Sequence, residues 1–288
     1  MKESIRLIVV AVFLATVLLT VFQPVNAAVQ TSNTITYCPN YDELHDVIVH
    51  YQIMNFKLAK ACTVSFEREI VIENPTVIRN IGEGTLTFDG NRTDGEDDNE
   101  SSFFIVSSGT LELNNITLKN GYGVKGGALV VTGGNLVLDH VTLRNNMSSA
   151  SGGAIYFSSG DMDIRDSSFI DNVTEGQLES TSGSGGAIYA NNFASVARIF
   201  IQNSTFDGNR TGDSSVESSG RGGALYLYNV DGTMLVNIFN STFYANRTGN
   251  SLMSSVGDGG AIYVNNYDGA ASLNIYHSTF SENATGAT

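Results

Sequence analysis

Gly-Gly-Ala followed by Ile or Leu occurs five times in this chain, at 126–129, 152–155, 185–188, 222–225 and 259–262. Each copy leads into an apolar run that ends on an asparagine three residues after a Leu or Phe: Asn146, Asn172, Asn209, Asn246 and Asn283. Self-similarity at a regular spacing marks a repeat architecture, and it limits the possible folds more than any other feature of the chain.

Aligned on these asparagines, the repeats fall into columns. Leu111, Leu136, Met162, Ile199, Val236 and Leu273 form one, and Leu113, Leu138, Ile164, Ile201, Ile238 and Ile275 the next. A third is Leu118, Leu143, Phe169, Phe206, Phe243 and Phe280. Mostly polar residues separate the first two, so the period is two and each segment is a half-buried strand. After Gly-Gly-Ala, the columns headed by Leu129 and Val131 should face inward, which turns Val130, Tyr156, Tyr189, Tyr226 and Tyr263 outward. Columns that recur in every copy mean that like stacks on like, as in a coil whose rungs pair in parallel about 4.8 Å apart. Seven rungs fit between residues 66 and 283.

The first asparagine interval is 26 residues and the next three are 37. Seven of the eleven extra residues lengthen the link after the asparagine, from five at 147–151 to twelve at 173–184, 210–221 and 247–258. The other four extend the segment after Gly-Gly-Ala. Insertions at the same place in successive repeats become loops stacked on one face.

The start of the chain reads differently. Residues 1–27 have the form of a secretory signal: Lys2 and Arg6, an apolar stretch at 7–22, and Val25-Asn26-Ala27 as a cleavage site. Residues 28–66 read as an N-terminal cap. In it Asn40 to Glu43 has the form of a capping box, and Leu44, Val47, Ile48 and Tyr51 follow at helical spacing, predicting a short helix over 41–52. Such a helix suits the open end of a coil, which needs covering. The only cysteines, Cys38 and Cys62, lie here, and export favours a disulfide between them over two free thiols. Residues 67–288 are then the repeats.

The alternation of Gly-Gly-Ala-Ile with Phe-x-x-Asn resembles the repeats of the chlamydial polymorphic outer membrane protein family. The front end at 38–88 is similar to caps of exported bacterial repeat proteins of the right-handed parallel β-helix type. The resemblance implies an all-β, right-handed parallel β-helix with a capping helix. It also implies a surface-exposed or secreted protein; several family members are adhesins displayed by a C-terminal barrel. The sequence stops at Thr288 straight after a repeat, so the expectation is an incomplete C-terminal end, with an anchor or barrel missing or a partner completing it.

Several features were candidates for chemistry. The asparagine column suggests an internal amide ladder. All five of its members lie in Asn-x-Ser/Thr sequons, as do Asn115, Asn203 and Asn240 at a second repeat position. Repetition accounts for these eight, so in a eukaryotic host Asn91 and Asn99 are the better glycosylation candidates. Tyr156, Tyr189, Tyr226 and Tyr263 are either a platform for a flat ligand or a self-stacked column. Asp161, Asp163 and Asp166 share one strand region, but Asp139 should pair with Arg165, and the geometry of a glycosidase or lyase is missing. His45, His50, His140 and His277 look unrelated to one another. The acidic loop at 89–100 lacks the glycine and the flanking helices of a calcium-binding EF-hand. No catalytic residue, cofactor or metal is expected.

A formal net charge of −14 and a pI near 4.5 argue against nucleic acid as a partner. No later segment is long and apolar enough for a transmembrane helix once the signal is removed. The expectation is a non-enzymatic protein of the cell surface, outer membrane or secreted space, binding a host, cell-surface or glycan ligand through its stacked loops. The alternatives are a polysaccharide-active enzyme or carbohydrate-binding module on the same fold, and a structural envelope spacer.

Overall fold

The computed structural model describes residues 31–92, 101–175, 183–214, 220–251 and 257–287. The signal-like segment, Asn99 and the middles of the three long loops lie outside them.

The chain is a parallel β-helix. Among the described residues, four sheets of nine, eight, seven and three strands run along the coil, and every strand ladder pairs in parallel. One turn shows the plan. Thr110–Asn114 lies in the nine-stranded sheet 1, Ile116–Lys119 in the eight-stranded sheet 2, and Tyr122–Lys125 in the three-stranded sheet. Leu129–Val131 lies in the seven-stranded sheet 3, and Asn135–Asp139 returns to sheet 1.

Register follows the columns. Leu111 pairs with Leu136, then Met162, Ile199, Val236 and Leu273. In sheet 2, Phe169, Phe206, Phe243 and Phe280 stack with centroids 4.6–4.7 Å apart and planes within 7°. That distance is the strand spacing itself, so the backbone ladder sets the ring stack. Each fully buried Phe contributes about 2 kcal/mol through lost apolar hydration.

Corners need residues that tolerate positive φ. Asn115, His140, Asp166, Asn203, Asn240 and His277 hold φ of 47–55° between sheets 1 and 2. His140 and His277 thus occupy the same corner of different rungs, which corrects the reading of the histidines as unrelated. Their shared offset from the sheet 1 columns was visible in the sequence. In Gly-Gly-Ala the two glycines serve two purposes. The first has positive φ, as Gly185 does at 70°. The second sits where a Cβ would strike backbone, as Gly153 would against the carbonyl of Gly186.

The asparagine column is a continuous buried ladder. Asn172 donates from both its backbone N–H (3.1 Å) and Nδ2 (2.9 Å) to Oδ1 of Asn209. The same pair of bonds joins Asn146 to Asn172, Asn209 to Asn246 and Asn246 to Asn283. Each Nδ2 also donates backward to a main-chain carbonyl, such as Phe169 O from Asn209 (2.9 Å). Asn146, Asn172, Asn209 and Asn246 are fully buried. A serine ladder does similar work at another corner, with backbone N–H groups of Ser167, Ser204 and Ser241 donating to the next rung's Oγ.

The helix spans Tyr41–His50 and carries both bonds of the capping box with Asn40 and Glu43. Tyr41, Leu44 and Ile48 are buried, and the Tyr41 ring meets Phe66 edge-on at 5.4 Å. Parallel stacking begins earlier than the residue-67 boundary. Ser32–Ile35 and Ile53–Phe56 already pair in sheet 1. These strands of four residues are too short to show a period, but Ile35, Met54 and Phe56 are buried. A Cys38–Cys62 disulfide ties the chain before the helix to the first strand of sheet 2.

Two outcomes follow. Asn209→Ala strands two buried donors of Asn172 and should cost about 3 kcal/mol or more in urea unfolding, with Asn283→Ala, at the less buried end of the ladder, costing clearly less. The Cys38→Ser/Cys62→Ser variant opens a 24-residue link and should lose about 3 kcal/mol. Hydrogen exchange should place that loss at Leu44 and Ile48, leaving the Phe206 amide protected.

Candidate functional site

The outward side of sheet 3 carries a column of aromatics. Tyr156, Tyr189, Tyr226 and Tyr263 stack with centroids 5.0–5.5 Å apart and planes within 18°. Their faces therefore cover one another. Lys125 Nζ lies 4.9 Å from the Tyr156 centroid and Arg221 Cζ 5.3 Å from that of Tyr263, both cation–π contacts. Tyr226 is 8% exposed, too little to act as an open platform. Burial, then the neighbouring Tyr226, Tyr156 and Tyr228 hydroxyls, push the Tyr189 hydroxyl well above the ordinary tyrosine range. The column is a ridge presenting ring edges and hydroxyls.

The four-residue extension adds more. Sheet 3 strands grow from three residues at Ile155–Phe157 to six at Ile188–Phe193, Leu225–Val230 and Ile262–Tyr267. The new length carries Asn191, Tyr228 and Asn265 in one register column, and Phe193, Val230 and Tyr267 in another. Behind them runs a second amide ladder. Asn192 Nδ2 donates to Asn229 Oδ1 and Asn229 Nδ2 to Asn266 Oδ1, both at 2.7 Å. Sequence reasoning missed this ladder, although the recurring asparagine of the extension was its signal.

The long loops share a root. Thr174, Thr211 and Thr248 are fully buried, and their hydroxyls donate to the carbonyls of Gly183, Gly220 and Gly257 at 2.7–3.1 Å. Each hydroxyl also accepts from the next rung, from the N–H of Gly212, Gly249 and Gly286. These threonines are the third residues of the Asn172, Asn209 and Asn246 sequons. Asparagine and threonine are thus both consumed by ladders, which physically accounts for the repeating sequon. Asn115, Asn203 and Asn240 are exposed, as is Asn91, whose N–H donates to Asp89 Oδ1 at 3.0 Å. Burial would raise the Asp89 carboxyl, but bonds from Lys119, Asn91 and Asn120 hold it below the usual carboxylate range.

The acidic candidates lie on sheet 1 and its corner, apart from this face. Asp163 is buried and ion-pairs with Arg165 of its own strand, while its Oδ1 has no hydrogen-bond partner among the described residues. The expected partner of Arg165, Asp139, instead contacts His140 Nδ1 (2.6 Å) and accepts from Asn114 Nδ2 (2.9 Å). Proximity within one strand favours Asp163 over a residue on the next rung. Asp161 pairs with Arg198 at 3.3 Å. One ligand atom each from Asp139, His140 and Asp166 lies within 4.8 Å of the others, the grouping best placed to hold a cation among the described residues. It sits on an exposed corner, and Asp166 already accepts from Asn203 Nδ2 at 3.1 Å.

Coil and ladders together define a parallel β-helix repeat protein. Residues 140–158 and 166–191 match the Chlamydia polymorphic membrane protein repeat, and they include two Gly-Gly-Ala-Ile copies and Phe169-x-x-Asn172. The chain therefore carries, over these residues, a repeat similar to that of the Chlamydia polymorphic membrane proteins. No curated protein matches the chain. Among the described residues no helix is long and apolar enough to cross a membrane.

Burial, opposed by Arg165 and reinforced by Asp139, raises Asp163 to about 6. Between the ordinary carboxylate value and that pKa the native state holds a proton that the unfolded chain has released, so stability falls as pH rises. Asp163→Asn should remove this slope. Relative to the parent, the variant should gain on the order of 2 kcal/mol between about pH 4 and about pH 7, read by urea unfolding at each pH.

Proposed function

We propose that this chain is an exported, non-enzymatic β-helix that works at the cell surface as an adhesion or binding element. The observation that carries this reading is the coincidence of two decorations. The long loops and the lengthened sheet 3 strands occur in the same three repeats, each loop leading into its lengthened strand. The family match supports a surface location. The pairing of Asp161 with Arg198 and of Asp163 with Arg165 supports a non-catalytic role, since each of these carboxylates already has a guanidinium partner. Binding would come from weak contacts multiplied along rungs.

Replacing the links 173–184, 210–221 and 247–258 with the five-residue link of the 147–151 rung tests this. The shortened protein should keep its β-sheet circular dichroism, while adhesion of protein-coated beads to host-type cell surfaces falls by ~100-fold, the scale of lost avidity. Unchanged adhesion would favour a structural spacer, and turnover of a polysaccharide by the parent would overturn the non-enzymatic reading.

A further inference from the structure

The outermost column of the lengthened strands has no counterpart in the earlier rungs. Phe193 and Tyr267 are 67% and 63% exposed, with Val230 between them in register. Two strand spacings, about 9.6 Å, separate their backbones, too far for the rings to stack as the inner tyrosines do. Both rings therefore offer open apolar surface. Beside them, Asn191, Tyr228 and Asn265 form a column of carboxamide, phenol and carboxamide, all half-buried. None of these positions is charged, while Asp231 and Asp268 stand exposed at the adjoining turns.

We propose that this face of sheet 3 binds a neutral oligosaccharide laid along the coil. The inference rests on the reading that this side of the coil is the binding side, and it names the ligand class. Open aromatic rings pack against the apolar faces of sugar rings, and carboxamide and phenol groups pair with sugar hydroxyls. Acidic turns on a chain of net charge −14 disfavour an anionic glycan. Size decides against a protein partner. Three strands of six residues cover about 14 by 20 Å, on the order of 300 Å². A stable protein interface needs about 800 Å² from each side. Sheet 1 carries aromatics of its own, Phe200, Phe239 and Tyr276, but across the turn on a different face of the coil.

The chain has no tryptophan, so tyrosine fluorescence can be read without tryptophan emission over it. Cellohexaose, laminarihexaose and chitohexaose are titrated into the protein, with hexagalacturonate as the anionic probe and calorimetry as the second readout. At least one neutral hexaose should bind saturably and hexagalacturonate should not. Phe193→Ala/Tyr267→Ala should weaken binding by ~10-fold or more, with an unchanged melting temperature because both rings are exposed. Tyr37→Ala, an exposed tyrosine near the cap, should bind as the parent does. Binding of no neutral hexaose, or equal binding by the double variant, overturns the inference. The two readings separate cleanly: bead adhesion that survives in the double variant alongside absent hexaose binding removes the ligand class but leaves surface binding standing.

Discussion

Everything in this molecule depends on the parallel backbone ladder between rungs. Bonds spaced about 4.8 Å apart bring each side chain over its equivalent in the next turn, so every column must be able to stack on itself. Flat rings and aliphatic chains do so in the apolar interior. Buried polar columns are more restricted, because each side chain must both give a hydrogen bond and receive one. Carboxamides and hydroxyls carry both functions, whereas a carboxylate only accepts and an ammonium only donates. The interior columns are accordingly Asn146 to Asn246, Asn192 and Asn229, the serines from Ser167, and Thr174, Thr211 and Thr248.

That restriction also explains where the coil tolerates decoration. A loop can be inserted without exposing the core only where the rungs on either side remain bonded. Thr174, Thr211 and Thr248 provide such a closure, joining each loop's two ends and the neighbouring rung. The strand extension is closed in the same way by its own amide ladder. Both insertions are thus sealed from the interior at their roots.

Most of the coil was legible in the sequence. The Phe169 and Leu111 columns, the capping box at Asn40 and the outward register of the tyrosines all stand where period two and helical spacing put them. What could not be read was exposure. Tyr226 and Phe193 both point away from the core on sheet 3 strands, yet one is 8% and the other 67% exposed. Tyr226 has a tyrosine on each adjoining rung, whereas Phe193 has Val230 as its neighbour on the following rung. Asp163 differs similarly from Asp161 on the same side of the same strand, being buried where Asp161 is half exposed.

The amino-acid sequence by itself determined the repeat, the two faces of each strand, the corners and the capped start. Those follow from local spacing and from the residues that positive φ and close backbone approach require. Only the tertiary structure decided which polar groups are consumed by ladders and which remain on the surface. Gly-Gly-Ala-Ile locates a corner, but a side chain's solvent access depends on the rung above, the rung below and the loop beside it, none of which is local in the chain. The three rungs that carry both insertions therefore came into register only once the coil brought residues 37 positions apart into contact.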